Sequence, residues 1–136
     1  MTKFESIFED LKKALLCLEE VLKEEKTDIT RDSAIQRFEI VFELAWKTIK
    51  AFLEEQHNIA CVSPINWLKE AFRTGIIDYD DQWLQISKLR NYTVHTYNEK
   101  LAEKVYAGLP TMVNLCKKVI ITIEDEINKW KTTEFI

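Results

Sequence analysis

Apolar residues return every three or four positions over Lys3 to Glu25: Phe4, Ile7, Phe8, Leu11, Leu15, Leu18 and Leu22. That recurrence describes one face of an α-helix. Thr2, three residues before Glu5, offers a capping-box pair at its start. The polar stretch KTDITRD carries no apolar period and predicts a break. A second helix follows, capped by Thr30 or Asp32 and running to about Gln56. Phe38, Val41, Ala45, Ile49 and Phe52 make one stripe along it, and Phe42, Trp46 and Leu53 widen that stripe. A helix apolar over so broad an arc is either central in its bundle or shared with a second subunit, so a homodimer is one expectation.

Ser63 before Pro64 is a good N-cap with proline at the first helical position, and Gly75 is a natural stop for a short third helix from Pro64 to Arg73. Asp78 opens a fourth helix carrying Trp83, Leu84, Ile86 and Leu89. The last helix spans Glu99 to Lys131, with Pro110 expected to kink or split it. KTTEFI reads as a loose tail. The pattern predicts one all-α domain over residues 1–136, an antiparallel bundle of four to five helices with its core at about 3–131 and a tail at 132–136.

Composition narrows the picture. Two glycines and two prolines in 136 residues are too few for the turns of a β-rich fold. The net charge of −4 provides no general field for nucleic acid, so an RNA contact would have to be local. Three cysteines, Cys17, Cys61 and Cys116, show no ligand spacing; Cys17 and Cys116 sit among apolar neighbours as small buried hydrophobes would. The N-terminus lacks a signal-peptide pattern and no apolar run is long enough to span a bilayer, so a cytoplasmic chain with no membrane contact is expected. There is no glycine-rich phosphate loop, no carboxylate cluster for nucleotide transfer and no metal-ligand spacing. Neither a cofactor nor a metal is expected, nor nucleotide transfer by the chain itself.

One stretch departs from plain helix: LRNYTVHTYNEK, residues 89–100. Arg90 and Tyr97 are seven apart and share a stripe; Arg90 and His95 are five apart, roughly 140° around an ideal helix. The arginine and histidine meet only if the helix loosens near Thr93, if the arginine stem reaches round, or if a twofold axis supplies one of them from a second chain. A guanidinium fork suits phosphate, and imidazole exchanges protons near neutral pH, so the pair could cleave a phosphodiester without metal. Asn91 and Thr96 could add hydrogen bonds. The structural reading stands beside this one: Arg90 paired with Glu39 or Glu43, and His95 as a helix cap. His57 is expected as an exposed helix-terminal residue. Trp46, Trp67, Trp83 and Trp130 lie on apolar stripes, as core or interface anchors do.

Arg90-x4-His95-x-Tyr97 resembles the signature of HEPN domains, small helical bundles found among RNases and nucleotide-handling proteins. RFEIVFELAWKTIK, SPINWLKEAFRTGIID and RNYTVHTYNEKLA, in that order, resemble the nucleotidyltransferase substrate-binding family within it, over about residues 4–130. The resemblance implies a dimeric bundle encoded beside a minimal nucleotidyltransferase, as the toxin half of a toxin–antitoxin pair. It implies that Arg90 and His95 support RNA cleavage, that Tyr97 accepts adenylyl groups, and that Glu39, Glu43 and Lys47 either orient the site or form a solvated face. The other function it allows is a non-catalytic subunit that binds a nucleotide or other substrate for a separate nucleotidyltransferase.

Overall fold

The computed structural model describes residues 1–60, 64–78 and 81–134, and all their side chains except those of 64–66 and 130–134. Five α-helices and one 3₁₀ turn follow in order: α1 (Lys3–Lys23), α2 (Asp28–Gln56), α3 (Pro64–Arg73), α4 (Asp81–Tyr92), a 3₁₀ turn (Thr93–His95) and α5 (Glu99–Glu134). No strand occurs among the described residues.

The helix ends show why each element starts and stops. Thr2 Oγ1 accepts from the Glu5 N–H at 3.1 Å and caps α1. α2 begins earlier than its sequence suggests, because Thr27 is the cap rather than Thr30 or Asp32. The Thr27 hydroxyl accepts from Thr30 N–H while the Thr30 hydroxyl accepts from Thr27 N–H, a reciprocal capping box. Asn58, at φ 58°, turns the chain out of α2, with Ile59 N–H reaching back to the Leu53 carbonyl. Gly75, at φ 84°, does the same for α3, where Ile76 N–H bonds the Ala71 carbonyl. The proposed Ser63 cap lies outside the described residues.

α2 is the central element and touches α1, α3, α4 and α5. Its stripe of Phe38, Val41, Ala45, Ile49 and Phe52 is buried against them. Of the residues that widen the stripe, Leu53 is buried, whereas Phe42 and Trp46 are half-buried and Ile40 on the same helix is exposed, so the stripe itself is used within the chain and part of the apolar breadth beside it is not. Phe4 packs on Phe8 and Phe52, and Trp67 meets Trp83 edge-on at 5.6 Å. Trp67 and Trp83 are core residues. Cys116 is buried beside Met112, and desolvation pushes its thiol up to about 12; Cys17 is half-buried. Cys61 lies outside the described residues.

Two expectations change at α5. Of the kink or split expected at Pro110, the split does not occur: the helix runs through the proline. Pro110 is exposed, so the Tyr106 carbonyl that loses its partner can turn to water. The helix also continues to Glu134, taking in the first residues of the expected tail. No described helix is long and apolar enough to cross a membrane.

Candidate functional site

The unusual stretch lies where α4 ends. Helical hydrogen bonding stops at Tyr92, and Thr93, Val94 and His95 form a tighter turn. Thr93 is buried, and its hydroxyl donates to the Arg90 carbonyl at 2.8 Å, tying off the last turn. The Thr96 hydroxyl repeats the contact one turn on, donating to the Thr93 carbonyl at 3.0 Å. Asn98 then starts α5: its side-chain oxygen accepts from the Lys100 and Leu101 N–H groups at 3.0 and 3.4 Å. Behind these residues, Lys104 Nζ lies 5.1 Å from the centre of the Tyr92 ring and joins α4 to α5.

Between these anchors the reactive groups face solvent. His95 is exposed, and its ring meets the Tyr97 ring edge-on at 6.1 Å. Tyr97 is 85% exposed, an extreme value for an aromatic residue. Arg90 is half-buried in the last turn of α4; among the described residues its guanidinium has no hydrogen bond or ion pair. The structure thus brings His95 to Tyr97 and sets Arg90 at the same helix end, with no direct bond between Arg90 and His95. A 3₁₀ turn advances roughly 120° per residue. The local tightening therefore does not by itself swing the imidazole round to the azimuth of the arginine.

The supporting residues are dispersed. Asn91 is exposed on α4. Glu43 pairs with Lys47 at 3.2 Å, a solvated i,i+4 pair on α2, so neither Glu43 nor Glu39 is bonded to Arg90. His57 is the C-cap of α2, a helix-terminal residue as expected, but it is half-buried rather than exposed: its ring lies 5.5 Å from that of Phe52, and its Nε2 is 2.6 Å from Glu126 Oε1. Trp46 is half-buried with Lys50 Nζ 5.6 Å from its ring centre. The side chain of Trp130 lies outside those described. Among the described residues no group of three or more His, Cys, Asp or Glu side chains is arranged to hold a metal ion.

A cluster not singled out from the sequence flanks the site. Arg31, only 3% exposed, sends Nη1 to Glu99 Oε2 at 2.8 Å and to Glu103 Oε1 at 3.1 Å, and Nε to Asp32 Oδ1 at 3.1 Å. Lys26 also binds Glu103. Hydrogen bonds from Arg31 hold the Glu99 carboxyl below its ordinary value; Lys26 first and Arg31 second do the same for Glu103. The guanidinium is raised in turn, chiefly by Glu99. The available signal was the acidic pair Glu99 and Glu103, four apart on one face of α5, with Arg31 hidden in a segment that looked like a polar linker.

The sequence matches, over residues 6–124, the family described as nucleotidyltransferase substrate binding protein like. A curated protein of Haemophilus influenzae named probable ribonuclease HepT is 37% identical over an alignment of 80 residues that covers 56% of this chain. The match takes in 55% of that relative, so the chain spans about half the length of the curated relative it matches. A crystal structure from Thermus thermophilus aligns with a TM-score of 0.76 at 35% identity, covering 81% of this chain and 95% of that one. A Haemophilus influenzae structure, described as the fold of a substrate binding domain of a nucleotidyltransferase, aligns with a TM-score of 0.66 at 25% identity. It covers 89% of this chain and 96% of that one.

Proposed function

The chain belongs to the nucleotidyltransferase substrate binding protein like family, and on that premise we propose that it is the HEPN-type ribonuclease subunit of a toxin–antitoxin pair with a minimal nucleotidyltransferase. The observation that carries the reading is a guanidinium with no bonded partner among the described residues, Arg90, at the helix end that exposes His95 and Tyr97. A cationic fork left unneutralised beside solvent is a docking point for a phosphate. The name probable ribonuclease carried by a relative supports the same chemistry.

In this reading the substrate is RNA and the active species is a homodimer. His95 takes the proton of a 2′-hydroxyl as that oxygen attacks the adjacent phosphorus. The P–O5′ bond breaks to leave a 2′,3′-cyclic phosphate, the leaving oxygen takes a proton from water to become a 5′-hydroxyl, and the His95 imidazolium returns its proton to solvent. Arg90 stabilises the negative charge that grows on the phosphoryl oxygens. The angular offset between the two residues along one chain favours a site in which a second copy supplies one of them. Tyr97 is the adenylyl acceptor: its phenolic oxygen attacks the α-phosphorus of a nucleoside triphosphate held by the partner, and pyrophosphate leaves. The anionic adduct stands beside His95 and competes with RNA for Arg90.

The test is cleavage of mixed RNA in EDTA by the purified protein. The wild type cuts; Arg90→Ala and His95→Ala each lose activity by a factor on the order of a hundred or more with helix content intact. Equal cleavage by all three proteins removes the reading. A non-catalytic subunit that presents a nucleotide to its partner is the second reading. It is favoured by the description of a solved relative as a substrate binding domain and by the acidic net charge of this chain. Nucleotide binding that depends on Arg90, without RNA cleavage, would establish it.

A further inference from the structure

We infer that Arg31 is a positioning residue: its buried guanidinium clamps the first turn of α5 and thereby sets where His95 and Tyr97 stand relative to Arg90. For His95 and Tyr97 this rests on the fold alone; its consequence for catalysis rests on the ribonuclease reading above.

The segment has two ends and, between them, local bonds that tie it only to itself: the Thr96 hydroxyl to the Thr93 carbonyl and the Asn98 N–H to the His95 carbonyl, each at 3.0 Å. Upstream it is fixed by buried Thr93 and its bond to the Arg90 carbonyl. Val94, His95, Tyr97 and Asn98 are exposed, so core packing does not hold them. Downstream the first residue of α5 is Glu99, two residues after Tyr97 and four after His95. Two residues of chain reach at most about 7 Å, so the position of Glu99 limits where Tyr97 can be. Arg31 grips Glu99 with both arms of its fork, Nη1 to Oε2 at 2.8 Å and Nη2 to Oε1 at 3.4 Å. It reaches one turn further to Glu103 at 3.1 Å. Two points on one helix, held from one rigid planar group, define the helix's rotation as well as its distance.

The fork is itself held. Asp32 Oδ1 takes Nε at 3.1 Å and Asp28 Oδ1 lies 3.7 Å from Nη1. The capping box of Thr27 and Thr30 fixes the helical turn that carries Arg31. A buried guanidinium surrounded by carboxylates is a weak source of net stability, because desolvation offsets much of the attraction. Geometry is where such a cluster is strong: the planar, multiply bonded group tolerates few arrangements. A lysine at this position gathers its three donors at one rotatable point and has no planar fork, so it can still pair with carboxylates but does not fix the rotation of α5 as a bidentate group does.

The chain has only two histidines, His57 and His95, so histidine ring NMR reads the site with an internal reference. In Arg31→Lys and in Glu99→Gln the His95 resonance shifts and broadens while His57, held near Glu126, stays in place. Lys117→Gln breaks another inter-helix ion pair, Lys117–Glu19 at 3.0 Å, and moves neither resonance. Cleavage by Arg31→Lys falls in kcat on the order of tenfold to a hundredfold with KM little changed, as expected for misplaced groups rather than lost binding. A folded Arg31→Lys and a folded Glu99→Gln with the His95 resonance unmoved overturn the inference, even if the wild type proves to be a ribonuclease. A displaced His95 resonance in a protein whose wild type cuts no RNA upholds the clamp and removes the ribonuclease reading instead.

Discussion

Arg31 and Arg90 carry the same side chain in opposite settings. Arg31 is buried and bonded to carboxylates from three points of the chain; Arg90 sits at a helix end with no bonded partner among the described residues. A buried cation requires partners or it would be expelled. A half-exposed cation needs none, and remains free to receive an anion. Tyr97 is likewise set apart by exposure. Its phenol is open to a modifying enzyme and is not committed to the core. If the proposed pairing holds, incubation with a minimal nucleotidyltransferase encoded beside this chain and ATP should add adenylyl mass to the wild type and none to Tyr97→Phe, read by intact mass spectrometry. An unmodified wild type would remove Tyr97 as the acceptor. The motif residues themselves were legible in the sequence, because a polar cluster at the end of an apolar run is visible without coordinates. Arg31 was not, because burial of one arginine depends on residues far along the chain, on α5.

Among the elements, the contact between α4 and α5 decides where the motif sits. Gly108 lets the helices approach: a Cβ built on it would collide with Cδ1 of Leu89, the residue just before Arg90. Gly108→Ala should therefore displace the Cδ1 end of Leu89, a half-buried and flexible side chain, at a cost that offsets the roughly 1 kcal/mol alanine gains over glycine in a helix. In a Leu89→Ala background the same change should become stabilising by up to about 1 kcal/mol, since alanine is the better helix former. A double-mutant cycle in denaturant measures the difference. Additive effects would mean that the close approach is not energetically coupled. The boundaries of α4 and α5 were less legible than their existence. Thr93 ends α4 by burying its hydroxyl on the Arg90 carbonyl, and Asn98 starts α5 by capping it. At Pro110 only the expected split fails: a proline on the solvent side of a long, well-packed helix lets it run on where one facing the core would end it.

For the molecule as a whole, the ion pairs from Arg31 and Lys26 join the start of α2 to the start of α5. Glu99 and Glu103 titrate below the ordinary carboxylate value of 4.5 in the folded protein. Their contribution to stability is therefore present above that value and is lost as pH falls through their lowered folded values. Thermal melts from neutral pH into the acid range should show Tm falling at the acid end, and Glu99→Gln should show a shallower fall. Parallel curves would mean that the cluster does not link folding to pH.

The order and type of the helices were determined by the sequence alone, because a three- to four-residue apolar period is a local property that any bundle must satisfy. So was the presence of a cationic, imidazole and phenolic group within eight residues. Tertiary structure decided the rest. It made α2 the central element, buried Arg31, half-buried His57 beside Glu126 and left Arg90 without a bonded partner among the described residues. Each of these depends on which distant side chains surround a group, and burial and ion pairing act across space, where sequence spacing carries no information.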